Sequence, residues 1–210
     1  YNEKDLKIVT SCLSNVNAGN NFLYLKQIAS IVSLRTDDGV KLLSKQYENV
    51  DFVGNDTALA VYLNPNINKI KKRNNTEPIF PFGINSSQFK AVQNALTNQI
   101  SVIQGPPGTG KTQIILNIIA NLLIQGKSVQ VVSNNNSAAA NILEKLSSQQ
   151  YNMGFIVAPL GNSDNKTAFI ANQNGQYPNI SDWKISKEDE TLLREQLCKK
   201  SQALNEIFRK

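Results

Sequence analysis

Residues 105–112 read Gly-Pro-Pro-Gly-Thr-Gly-Lys-Thr, and this octapeptide constrains the chain more than any other feature. It fits the phosphate-binding pattern GxxxxGK[ST] without a departure. An apolar run at 100–104 (ISVIQ) comes immediately before it, and an apolar stretch of helical length, 111–125, comes immediately after. Strand, glycine-rich loop and helix in that order is the context in which such a loop works.

Each position has a chemical reason. Glycines let successive backbone N–H groups curl around phosphate oxygens at angles and distances that a Cβ would obstruct. Lys111 supplies a point charge for the β- and γ-phosphates, and Thr112 offers its hydroxyl to Mg²⁺. The helix that begins there turns its positive end towards the same anion.

Further along, Gly126 ends the helix, residues 128–133 (SVQVVS) read as a second buried strand, and 137–146 read as another helix. This βαβα order predicts an α/β fold with a parallel sheet and right-handed crossovers. Ahead of the loop, Ser86 reads as the cap of a helix through Phe89, Val92 and Leu96. Residues 154–160 (GFIVAPL) read as a further strand.

Residues 1–70 read as a small α+β unit. Leu6, Val9, Leu13 and Val16 recur at helical spacing, and Leu42, Leu43 and Tyr47 mark a short second helix introduced by Asp37, Asp38 and Gly39. Residues 57–63 (TALAVYL) read as a strand stopped by Asn64-Pro65. A linker spans 71–81, beside the basic run Lys69, Lys71, Lys72 and Arg73, which reads as a solvated segment. The α/β domain then covers 82–185. Residues 186–210 form a helical arm with Glu188, Asp189 and Glu190 in its first turn, where they favour the helix dipole. Its Leu193, Leu197, Leu204 and Ile207 follow a heptad-like spacing, which makes this helix the expected route of self-association.

Composition removes several alternatives. The chain contains no histidine, which excludes histidine-based nucleophilic triads, and its two thiols, Cys12 and Cys198, are too few for a structural zinc site. Two distant cysteines make no disulfide framework, so a reducing cytoplasm is the expected setting. The apolar segments are too short to cross a bilayer, which predicts no membrane partner. A net charge of +6 suits a polyanionic partner without requiring one. The start at Tyr1 rather than Met reads as an excerpt of a longer protein.

Three motifs together carry a family resemblance. Ile84-Asn-Ser-Ser-Gln88, one helix ahead of the loop, resembles the Q motif of superfamily 1 helicases. The loop itself is the variant favoured by the branch related to the RNA-surveillance helicases, and residues 131–136 (VVSNNN) resemble motif Ia. The likeness is nearest to bacterial AAA-type members, and it covers 82–146 well and 147–183 weakly.

The resemblance implies a RecA-like P-loop NTPase domain, here incomplete, and an ATP-dependent motor that translocates on single-stranded DNA or RNA. It implies ATP and Mg²⁺ as cofactors. The nucleotide-binding set it implies is Gln88, Gly105, Pro106, Pro107, Gly108, Thr109, Gly110, Lys111, Thr112 and Gln113, with Lys111 and Thr112 catalytic and Thr112 on the metal. Gln88 would read adenine, because an amide donates and accepts at once. Ser133 and Asn134 would touch the nucleic-acid backbone; the other reading is that they end a strand and cap the next helix. Phe82 packs either on the adenine or in the core.

One departure limits the activity. Hydrolysis needs an apolar strand ending in Asp-Glu, to hold Mg²⁺ and orient water. Asp189-Glu190 is the only pair in that order, and its neighbours Lys187, Glu188 and Thr191 are polar. The sequence therefore predicts a chain that binds nucleotide without efficient turnover. A nucleotide-dependent binding or regulatory module without unwinding activity is the second reading.

Overall fold

The computed structural model describes residues 9–32, 35, 39–66, 77–133, 136–161, 163–173, 175 and 178–209. Leu6, Asp37, Asp38, the basic run Lys69, Lys71, Lys72 and Arg73, and Asn134 lie outside the described residues. Two compact units are present, one formed by 1–74 with 97–102 and the other by 75–96 with 103–210.

The first unit is helical. Helices α1 (Val16–Val32), α2 (Leu42–Glu48) and α3 (Ala58–Leu63) enclose a core of Cys12, Ala18, Phe22, Val53, Ala60 and Leu63. Asn15 starts α1 by accepting from the N–H groups of Asn17 and Ala18, and its Oδ1 also accepts from Asn64 Nδ2 at 2.9 Å. The segment expected as a strand at 57–63 is instead α3. Thr57 Oγ1 accepts from the Ala60 N–H and caps it, and Ala60, Val61 and Leu63 are buried on one face while Tyr62 is exposed. Two alanines and two leucines favour the helix, and Val61 is the segment's only β-branched residue after the cap.

The second unit contains α4 (Ser86–Thr97), α5 (Lys111–Ile124), α6 (Asn136–Ser147), α7 (Ser163–Ala171) and α8 (Lys187–Arg209). Asn85 rather than Ser86 caps α4. Its Oδ1 accepts from the Gln88 N–H at 2.9 Å while Gln88 Oε1 accepts from the Asn85 N–H at 3.0 Å, a reciprocal capping box. Val92, Leu96 and Ile114 form one apolar cluster between α4 and α5, and Leu116, Ile119, Ile142 and Leu146 form another between α5 and α6.

Ser186 opens α8 by accepting from the Asp189 N–H and donating to its carboxylate. Far along α8, Phe208 meets Phe89 of α4 edge-on with ring centroids 5.7 Å apart. Trp183 packs on Phe155 at 5.9 Å. On α8, Leu193, Leu197 and Ile207 are exposed.

The parallel sheet expected of an α/β fold is not formed: among the described residues there is no strand, only isolated bridges such as Ser11 with Gly54. Residues 100–104 and 128–133 run without ladder partners, and Val102 and Val132 are about four-fifths exposed. Residues 154–160 contain a 3-10 turn, Gly154–Ile156, in place of a strand. An apolar, β-branched run becomes a strand only when neighbours take up its N–H and C=O groups. Helix formation satisfies its own backbone, so the flanking helices appear where the sequence places them.

Candidate nucleotide-binding site

The phosphate loop leads into α5 through Gly110, the N-cap residue, at φ 78° and ψ 29° in the left-handed region. Gly108 is also left-handed, at φ 84°. A Cβ at Gly110 would collide with Gln88 Nε2, whereas one at Gly108 would meet nothing within 4 Å. Because a glycine cap has no side chain, nothing local satisfies the start of α5. Among the described residues the N–H groups of Lys111, Thr112 and Gln113 find no acceptor. Together with the helix dipole, three such donors favour an anion.

The loop is braced from inside. Lys111 Nζ donates to the carbonyls of Gly105 at 2.6 Å and Pro106 at 2.7 Å, leaving one of its three donors. Thr109 Oγ1 donates to Pro106 O at 2.9 Å. Gln88 backs the loop from behind. It is almost fully buried, and its Nε2 donates to Thr109 O and to Gln113 Oε1, each at 3.2 Å.

In front of the loop lies an open cleft of about 1120 Å³, slightly above the range usual for small-molecule sites. Pro107, Gly108, Gly110, Lys111, Thr112 and Gln113 line it on one side. Glu144, Lys145, Ser148 and Tyr151, from the end of α6 and the turn after it, line the other. Of the residues expected from the sequence, Gly105, Pro106 and Thr109 shape the loop without lining the cleft, and Gln88 stands behind it. Ser133 is exposed in the irregular segment before α6 and does not reach the cleft. Phe82 packs against the cluster of Leu116, Ile119, Ile142 and Leu146, as its core reading expects, and also lines the cleft.

Asp189 and Glu190 are engaged away from the cleft. Asp189 belongs to the α8 cap, and Glu190 pairs with Arg194 at 2.7 Å. Glu144 is the carboxylate that lines the cleft, and no motif marked it. Among the described residues no group of three acidic or thiol side chains could hold a metal ion.

Sequence reasoning also passed over Asn117 and Asn121. Asn117 Oδ1 accepts from the Phe82 N–H at 3.2 Å, and its Nδ2 donates to Gly83 O at 2.9 Å. Asn121 accepts from the Ile79 N–H at 2.9 Å and donates to Ile79 O at 2.7 Å. Gln113 Nε2 donates to Phe82 O. The available signal was amides at i, i+4 and i+8 on an otherwise apolar helix.

A glycine loop that hands its backbone to a helix N-terminus in this way is the arrangement of the P-loop NTPases. Residues 83–210 match the family model described as an AAA domain, and the chain belongs to that family. It is 42% identical over 66 residues to the DNA polymerase alpha-associated DNA helicase A of Schizosaccharomyces pombe, which is 31% of this chain and 10% of that protein. It is 39% identical over 105 residues to the helicase required for RNAi-mediated heterochromatin assembly 1 of the same organism, 43% of this chain and 10% of that one. To the regulator of nonsense transcripts 1 of Caenorhabditis elegans it is 44% identical over 64 residues, 30% of this chain and 6% of that protein. The resemblance to superfamily 1 helicases stands on these matches, and the chain spans about a tenth or less of each relative. No solved structure matches it. Among the described residues no helix is long and apolar enough to cross a membrane.

Proposed function

We propose that this chain is the ATP-binding part of an ATP-dependent helicase that moves on single-stranded DNA or RNA in the cytoplasm. The observation that carries the reading is the phosphate loop 105–112, with Lys111 held inside it and three acceptor-free amides at the head of α5, opening on a cleft of about 1120 Å³. The helicase names of the relatives support the nucleic-acid partner.

In this reading the loop amides and Lys111 hold the β- and γ-phosphates. Lys111 does so by turning an N–H from a loop carbonyl to a phosphate oxygen, which replaces a bond to a neutral acceptor with one between opposite charges. Thr112 holds Mg²⁺, which when bound neutralises phosphate charge. Gln88, which stands behind the loop as it is, would keep its bond to Thr109 O and turn from Gln113 towards the adenine edge, where its second carbonyl lone pair would accept the exocyclic amine.

A second reading is a nucleotide-dependent module that does not unwind. The engagement of Asp189 and Glu190 in the first turns of α8 favours it.

Calorimetric titration with Mg-ATP and Mg-GTP tests the nucleotide assignment. Preference for ATP is expected, whereas equal affinity removes the base reading and no uptake of either removes the phosphate site. Affinity for a single strand that falls steeply with added salt is expected of the helicase reading.

A further inference from the structure

Glu144 lies in the last turn of α6 and lines the cleft across from the phosphate loop. Two effects make this an unfavourable place for a carboxylate. The C-terminal end of a helix disfavours negative charge, and a triphosphate held by the loop would repel it. No helix neighbour offsets either effect. The positions three and four residues away are Ala140, Asn141, Ser147 and Ser148, and among the described residues the Glu144 side chain makes no hydrogen bond or ion pair. Local stability gives no account of the residue, which turns attention to a ligand.

The wall that carries Glu144 is firmly built. Ile142 and Leu146 bury the inner face of α6, and Met153 and Val157 pack against their cluster. The turn after the helix closes through the Met153 N–H on Leu146 O at 2.7 Å, and through the Tyr151 and Asn152 N–H groups on Ser148 O at 3.0 and 2.8 Å. Asn152 sits in the left-handed region at φ 49°, where asparagine is better tolerated than most residues. Gly154 approaches Ser147 so closely that a Cβ there would stand 2.2 Å from Ser147 Oγ. Glu144 and its neighbour Lys145 are thus presented to the cleft from a fixed backbone.

A carboxylate beside an ammonium selects a neutral group that carries hydroxyls. A further phosphate would meet Glu144, and a metal ion would meet Lys145. Hydroxyls suit both, since they donate to the carboxylate and accept from the ammonium. A vicinal diol can place one O–H on each carboxylate oxygen, much as an acidic residue takes a ribose hydroxyl in dinucleotide-binding folds. We propose that Glu144 receives the 2′- and 3′-hydroxyls of the nucleotide's ribose and makes the site prefer ribonucleotides to 2′-deoxyribonucleotides. The inference rests on the reading of 105–112 as a triphosphate site. Sugar choice then belongs to a residue separate from Gln88 and Lys111.

The test titrates wild type and Glu144→Gln with Mg-ATP, Mg-2′-dATP and inorganic tripolyphosphate, which has no sugar. Wild type is expected to bind Mg-ATP about tenfold more tightly than Mg-2′-dATP, the worth of one charge-assisted hydrogen bond in an open cleft. Glu144→Gln is expected to bring the two nucleotides within about threefold by losing ATP affinity, while tripolyphosphate affinity holds or rises as the repulsion goes. Its thermal midpoint should hold or rise, because the side chain is exposed and its charge opposes the helix dipole. Equal binding of the two nucleotides by wild type overturns the sugar reading and leaves the phosphate site standing. A preference that survives undiminished in Glu144→Gln overturns the assignment to Glu144. Equal losses of all three ligands in that variant would mark a metal-holding role and overturn it as well. Wild type that takes up none of the three overturns the sugar reading together with the phosphate site.

Discussion

Gln88 Nε2 donates to the carbonyl of Thr109 at 3.2 Å, tying the first turn of α4 to the phosphate loop. The same side chain closes the capping box with Asn85, so one amide both starts a helix and braces the loop that the next helix grows from. Replacing it therefore has two separable effects. Gln88→Ala should lower stability by about 1–2 kcal/mol through the lost cap and loop bonds, read as a reduced urea midpoint. It should weaken binding of both ATP and GTP, ATP by more, and equal losses would remove the base-reading role.

Lys111→Ala should abolish most triphosphate affinity, a loss of about tenfold or more for one charge-assisted contact. Its ammonium bonds only to loop carbonyls, so the thermal midpoint should move little. Titration with Mg-ATP beside a melting curve checks both, and undiminished binding would end the assignment of the loop.

The two left-handed glycines should respond differently. Gly108→Ala meets open space, so only the backbone cost of about 1 kcal/mol is expected. Gly110→Ala adds a collision with Gln88 Nε2 to that cost. It should be the more destabilising of the two by chemical denaturation, and it should lose nucleotide affinity as the Gln88 brace shifts. Equal behaviour of the pair would show that the brace is unimportant.

Asn117→Leu keeps the branched, four-heavy-atom outline of the buried side chain but leaves Phe82 N–H and Gly83 C=O without the partners they have now. Leaving two part-buried backbone groups without these partners should cost about 1–2 kcal/mol, measured as the change in unfolding free energy. A neutral result would mean that water reaches these groups.

ATP turnover by this chain should stay near background with or without a single strand, since among the described residues Glu144 is the carboxylate lining the cleft and no acidic pair joins it. Phosphate release that is brisk in wild type and absent in Lys111→Ala would reverse that expectation. Glu144→Gln would then identify the acid responsible.

The loop and its helix were legible because their meaning is local. Gly110 and Gly108 adopt the conformations that glycine is placed to permit, and α5 spans Lys111–Ile124 as its apolar run implies. The sheet was misread because residues 100–104 and 128–133 carry strand propensity whose realisation depends on neighbours that no local pattern specifies. The segment 57–63 was misread for a different reason. Seven residues are too few for a period of two and a period of 3.6 to separate, and the Thr57 cap decides the matter. α7 was missed because its residues show no apolar face, and all of it but Phe169 is exposed. In the site, Asn117 and Asn121 carry no signal of their role in an otherwise apolar helix. Their partners lie 35 and 42 residues away in sequence, beyond the reach of any motif.

Gln88 and Phe89 are neighbours in one turn of α4, and they face different company: the first grips the phosphate loop, the second takes the ring of Phe208 near the end of α8. A pull on the last helix thus arrives one residue from the loop's brace. The end of α8 and the phosphate loop are gripped by adjacent residues of α4.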